Sequence, residues 1–122
     1  MLFRSKAHPV FDGLPAGGLL DYTFYREIIP DLVFAGQEPP QEAVAGAIKA
    51  SQDYASGLMV SVHTLGAGRF VLNTLLIREN LGRHPAADRL LCNLLNYAAG
   101  DAGKPLAELP ADFDQQLKSL GY

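Results

Sequence analysis

The chain has 122 residues, 48% hydrophobic and 19% charged, with 10 Lys and Arg against 13 Asp and Glu and a formal net charge of −3. That balance belongs to a globular chain long enough for one core, and it excludes disordered and membrane classes. The charge is weak and dispersed, with no Lys/Arg cluster to neutralise a row of phosphates, so no nucleic-acid partner is expected. No run approaches the ~20 apolar residues of a spanning helix, so no membrane partner is expected either. MLFRSKAHPV is too short, and too soon interrupted by Pro9, for a secretory signal. A single cysteine excludes an intramolecular disulfide.

Residues 8–18 carry Pro9, Gly13, Pro15, Gly17 and Gly18 and read as irregular backbone anchored by Val10, Phe11 and Leu14. Residues 20–29 suit two structures: Tyr22, Tyr25 and Ile29 fit a helical face, whereas Tyr-Thr-Phe-Tyr is composed like a strand. The reading adopted is a short helix or turn ending before Pro30. Residues 32–35 read as a brief strand, and QEPPQ as an exposed extended corner, because Pro39 and Pro40 lack backbone donors. In residues 42–50, Val44, Gly46 and Ile48 alternate with Ala43, Ala45 and Ala47, which favours a strand although the alanines also suit a helix. SQDYASG, residues 51–57, reads as a polar connection that returns the chain antiparallel. Leu58, Val60 and Val62 then alternate with Met59, Ser61 and His63 in the next strand. Gly66 and Gly68 mark a turn, and residues 70–77 form an apolar strand, interrupted by Asn73 and Thr74, that needs cover on both faces.

The best-specified element is a helix over residues 85–99. Pro85 suits the first helical position after His84, Asp88 lies where the dipole favours a carboxylate, and Gly100 stands just past the end. Ala87, Leu90, Leu91, Leu94, Leu95 and Ala98 form its apolar stripe, each buried leucine contributing about 2 kcal/mol, and Cys92 reads as a small buried hydrophobe beside it. A charge at Leu91 or Leu94 should unfold the domain. After a Gly/Pro linker, Phe113, Leu117 and Leu120 repeat at helical spacing before Gly121 and read as a short docking helix. The predicted fold is α/β or α+β. It has a mixed, largely antiparallel sheet of about four strands, one long helix packed on it and a short C-terminal helix. Residues 1–122 form a single domain, with a core over 8–100 and the linker and docking helix over 101–122.

Chemistry-bearing residues are few. His8, His63 and His84 sit on three different elements without the short spacing of a metal site, and Cys92 lacks the strained turn or basic neighbour of a nucleophile. Gly66-Ala-Gly68-Arg69 looks superficially like a phosphate loop, but it joins two strands and so reads as a hairpin turn. No catalytic residue, metal site or cofactor is expected. The one candidate ligand site is the polar loop of Asn73, Thr74, Arg78, Glu79, Asn80, Arg83 and His84, between a buried strand and a helix, where α/β proteins place ligands. Against this, Asn73 and Thr74 can satisfy nearby backbone groups, and Asn80 with Gly82 is ordinary turn chemistry.

Four segments, HPVFDGLP, GAGRFVLNTLLIRENLG, HPAADRLLCNLLNYAAG and LPADFDQQLKSLGY, together resemble the C-terminal region of bacterial glycoside hydrolase family 2 proteins of the β-galactosidase type. In those proteins this region resembles a class I glutamine amidotransferase-like domain, and the likeness runs from His8 to Tyr122. It implies that this chain is the later part of such an α/β layer. The nucleophilic cysteine of the amidotransferases belongs to their earlier part, and their His-x-Glu pair is replaced here by VLNTLLIREN. Glycoside hydrolysis needs two carboxylates about 5–9.5 Å apart in a cleft. Glu27, Glu42, Glu79 and Asp88 qualify only by residue type, so neither activity carries over. The resemblance implies a non-catalytic structural or accessory unit, with anything missing lying upstream of Met1. A layer cut in this way leaves apolar faces open, so a homodimer or higher assembly is expected, with carbohydrate as a possible ligand of the polar loop.

Overall fold

The computed structural model describes residues 1–51 and 53–122. Five strands form one antiparallel sheet in the order β2-β1-β3-β4-β5: β1 (Leu2–Ser5), β2 (Gly18–Leu19), β3 (Glu42–Ala50), β4 (Tyr54–Leu65) and β5 (Gly68–Asn73). The helices are α1 (Tyr22–Tyr25), α2 (Ile77–Asn80), α3 (Pro85–Ala99) and α4 (Phe113–Ser119), with a 3-10 turn at Pro9–Phe11. The architecture is mixed α and β as expected, but every strand pairing is antiparallel, so the sheet is not mixed.

Two register shifts shape the core. Between Ala43 and Ala45, Val44 is an extra residue on β3, and between Ala45 and Gly46, Met59 is an extra residue on β4. A bulge lets neighbouring residues on one strand share a face. Val44 with Ala45, and Met59 with Val60, therefore all lie buried on the helix side with Val62. Strict alternation would have sent one of each pair outward.

Strand boundaries differ from the expectation at several points. The 51–57 segment is mostly strand, since β4 begins at Tyr54; Gln52, within that predicted connection, lies outside the described residues. Residues 32–35 contribute only a bridge between Phe34 and Leu58, made by two backbone hydrogen bonds of 2.9 and 2.7 Å. Gly57 permits this approach, because a Cβ there would collide with the Val33 side chain. The strand over 70–77 stops at Asn73. Its side-chain Oδ1 accepts the Leu75 N–H at 3.0 Å, turning the chain so that Leu75 and Ile77 enter the core from a bend and from α2.

The segment 20–29 is helical at Tyr22–Tyr25, with Asp21 accepting from the Thr23 and Phe24 N–H groups, and it turns once more before Pro30. Tyr25 is buried, packs edge-on to Phe11 and donates its hydroxyl proton to the Pro15 carbonyl. Residues 8–18, expected to be irregular, instead include the 3-10 turn at Pro9–Phe11 and run into β2 at Gly18; Val10 and Phe11 join the core, and the 3-10 turn packs on α3.

On α3 the buried line is Ala86, Ala87, Leu90 and Asn93, with Leu91, Leu94 and Tyr97 half-buried beside it. The expected stripe is therefore rotated: Leu95 is 62% exposed, and Cys92 is exposed rather than buried. At 3.6 residues per turn, Cys92 falls nearly opposite Leu90, while Asn93 takes the inward position. The C-terminal helix forms as expected, with Phe113 and Leu117 half-buried and no residue fully buried. Among the described residues no helix is long and apolar enough to cross a membrane.

Candidate functional site

His8 and His84 sit in the same local device. Each precedes a proline at the first position of a helical turn, and each ring Nδ1 accepts the N–H two residues on, Val10 and Ala86 respectively, both at 3.2 Å. This is side-chain capping of a helix start, performed here by imidazole. Since Nδ1 of His8 accepts, the ring proton is on Nε2, which donates to Glu42 Oε2 at 3.3 Å. Both ring nitrogens of His8 are engaged, so the ring has no free lone pair for proton transfer or metal binding.

Glu42 is the hub of a polar cluster that the sequence reading did not anticipate. Its carboxylate also pairs with Lys6, and Tyr97 donates to Oε2 at 3.5 Å. The hydrogen bond from Lys6, with a second from His8, holds the Glu42 carboxyl below the usual carboxylate range despite partial desolvation. Burial pushes the Tyr97 hydroxyl up, with Arg69 partly opposing and Glu42 adding to the rise. Arg69 lies 5.9 Å from the Tyr97 ring centroid and forms a two-pronged pair with Asp101, one arm at 2.8 Å. The cluster links the segment after β1, the cap of the 3-10 turn, β3, β5 and the end of α3. No sequence motif announces it, since its members come from separate elements and meet only in the fold.

A second contact has the residue types of a catalytic dyad: Ser61 Oγ lies 2.9 Å from His63 Nε2. Ser61 is 0% exposed, and the His63 ring stacks on Phe70 at 5.1 Å between centroids. A nucleophile must meet its substrate, and this hydroxyl is sealed.

The polar loop is divided by the structure. Asn73, Thr74, Arg78 and Glu79 line a cleft of about 390 Å³ whose opposite wall is Leu91 and Leu94 of α3. Asn80 turns away, its amide donating to the Glu27 and Leu76 carbonyls at 2.8 Å each. His84 caps α3 and lies edge-on to Phe24, and Arg83 sits exposed in the turn before it. Of the four carboxylates considered, Glu42 is held by Lys6 and His8, and Asp88 accepts the Gly82 N–H at 2.9 Å. Glu27 and Glu79 are exposed, after α1 and on α2. A groove of about 420 Å³ lies on the other sheet face, where residues 34–38 and Pro40 border Arg4, Gly46, Ile48 and Leu58. Among the described residues no group of three or more His, Cys, Asp or Glu side chains is placed to hold a metal ion. In comparison with known proteins, the chain matches no family model, no curated protein and no solved structure.

Proposed function

We propose that this chain is a non-catalytic structural or accessory unit that acts through packing and self-assembly. The observation that supports this most is the use made of its reactive side chains. The rings of His8 and His84 hold the chain's own backbone at helix starts, and His63 is paired with a sealed serine. The resemblance of the four quoted segments to the C-terminal region of family 2 glycoside hydrolases supports reading such a unit as part of a carbohydrate-active protein. Light scattering of the purified chain at micromolar concentration tests the reading: a dimer or larger species is expected, and a folded monomer overturns it.

The cleft between the loop and α3 favours one alternative, a small-carbohydrate site using Asn73, Thr74, Arg78 and Glu79 over an apolar wall of Leu91 and Leu94. Calorimetric titration with neutral mono- and oligosaccharides distinguishes the two. Saturable heat that Glu79→Ala removes would support the carbohydrate site, and its absence at millimolar sugar would dismiss it.

A further inference from the structure

We propose that the outer edge of β5 is a self-pairing surface, at which two copies of this chain join antiparallel about Val71 to make one continuous sheet. The proposal rests on the self-assembly reading and names its surface. Gly66, at φ +56°, opens a two-residue turn flanked by the Leu65–Gly68 pair. In such a hairpin the flanking pair exchanges both hydrogen bonds and the pattern alternates from there. Gly68, Phe70 and Leu72 therefore turn their backbone groups toward β4, and Arg69, Val71 and Asn73 turn theirs outward. The Thr74 N–H, which donates to the Met59 carbonyl at 2.9 Å, has the phase this alternation requires. Among the described residues, no backbone group pairs with Arg69, Val71 or Asn73 on that outer edge; only at the turn before it does the chain's own Leu106 N–H donate to the Ala67 carbonyl, at 2.8 Å.

The two ends of the sheet are unlike. At one end β2 has two residues, too short to template another strand. At the other, β5 presents six residues, GRFVLN, with no proline and with a single charge, Arg69, which is engaged by Asp101. An antiparallel twofold through Val71 sets Val71 against its own copy, Arg69 against Asn73 and Phe70 against Leu72. No like charges meet, because each Arg69 faces an asparagine, and its guanidinium is paired within its own chain to Asp101. On one face Phe70, 39% exposed, would pack across the seam on Leu72. On the other, the seam adjoins a cleft of about 350 Å³ lined by Val71, Leu94, Leu95 and Ala98. A standard interface takes about 800 Å² from each partner, roughly a tenth of a small protein's surface. This chain exposes 8354 Å². Beside the strand, Leu95 of α3 is 62% exposed and lines the same cleft as Val71, so it lies where the seam would cover it.

Val71→Pro tests the edge, since it removes only an outward N–H and places proline where edge strands accept it. The wild-type chain is expected to be a dimer by light scattering, and the variant a monomer with unchanged far-UV circular dichroism. Val71→Cys in a Cys92→Ser background tests the register, because directly opposed residues sit about 5.5 Å apart at Cα, within disulfide range. Oxidation is expected to give a covalent dimer, whereas Lys49→Cys in the same background gives none. A wild-type dimer that Val71→Pro leaves intact, and that Val71→Cys does not cross-link, overturns the β5 proposal while leaving self-assembly standing. A wild-type monomer overturns both. Should Val71→Pro unfold the chain, the cross-link alone decides.

Discussion

Asn93 is the residue at which side-chain pattern and observed packing disagree most, and its replacement separates them. Its amide donates to the Val10 carbonyl at 3.0 Å and to the Asp12 carbonyl at 2.9 Å, clamping the 3-10 turn onto α3. Asp12 keeps a second donor in Arg89 Nε at 3.0 Å, but Val10, 0% exposed, would be left with a stranded carbonyl. Two lost bonds at about 1 kcal/mol each, plus part of the ~1–3 kcal/mol cost of an unpaired buried acceptor, put Asn93→Ala at about 3 kcal/mol. Asn93→Leu separates the two readings more sharply. Patterning alone predicts a gain of about 2 kcal/mol from an added buried leucine. The clamp predicts a chain at least ~1 kcal/mol less stable than wild type, because the leucine leaves the carbonyl unpaired and crowds it. Asn93→Asp, which turns a carboxylate toward two carbonyls, should be the worst of the three. Urea unfolding followed by circular dichroism at one fixed protein concentration, with slopes compared for constancy, measures all three. An Asn93→Leu chain as stable as wild type would refute the clamp.

Leu90→Ala should cost about 3 kcal/mol and Cys92→Ala under ~0.5, and the native Cys92 thiol should react readily with a disulfide reagent; a protected thiol would mean the helix face is wrongly assigned. His84→Ala should cost about 1 kcal/mol by loss of the α3 cap while His84→Asn restores it, as read by thermal melts. The depressed Glu42 carboxyl contributes stability that is complete above its unfolded value and lost as pH falls through the lower folded value. Glu42→Gln should flatten the acid limb of a stability–pH curve. Burial, with Asp21 nearby, raises the Tyr25 hydroxyl from 10.0 to about 12, so its contribution is complete below pH 10.0 and is lost as pH rises through about 12. Tyr25→Phe should abolish that alkaline loss.

What the sequence made legible follows the range of the forces involved. Residues 85–99 carry their own start and stop, and α3 has those bounds. The hairpin of β4 and β5 is announced by Gly66 and Gly68. β1 was missed because LFRS has no bounding turn and exists through its pairing with β3, more than forty residues on. β2 was hidden because Gly18 in a glycine-rich stretch reads as a turn. The inward position of Asn93 depends on carbonyls some eighty residues away in sequence, which no helical periodicity encodes. The candidate loop was legible as a polar segment, but its division was not. Asn80 looked as free as Glu79, yet its amide is committed to Glu27 and Leu76.

The same long-range contacts bear on how the surface is used. On α3, Asp88 reaches back to Gly82, Arg89 and Asn93 reach to Asp12 and Val10, and Tyr97 reaches to Glu42. These side chains are spent on joining the helix to the rest of the fold. Leu91 and Leu94 are only half covered, Leu95 is exposed, and this side of α3 adjoins the strand with an open edge. A chain built to bind or transform a polar substrate would keep its donors and acceptors unengaged and its apolar groups covered. Along α3 and β5 the polar side chains are engaged and the apolar ones partly open, and it is on this arrangement that the proposed self-pairing rests.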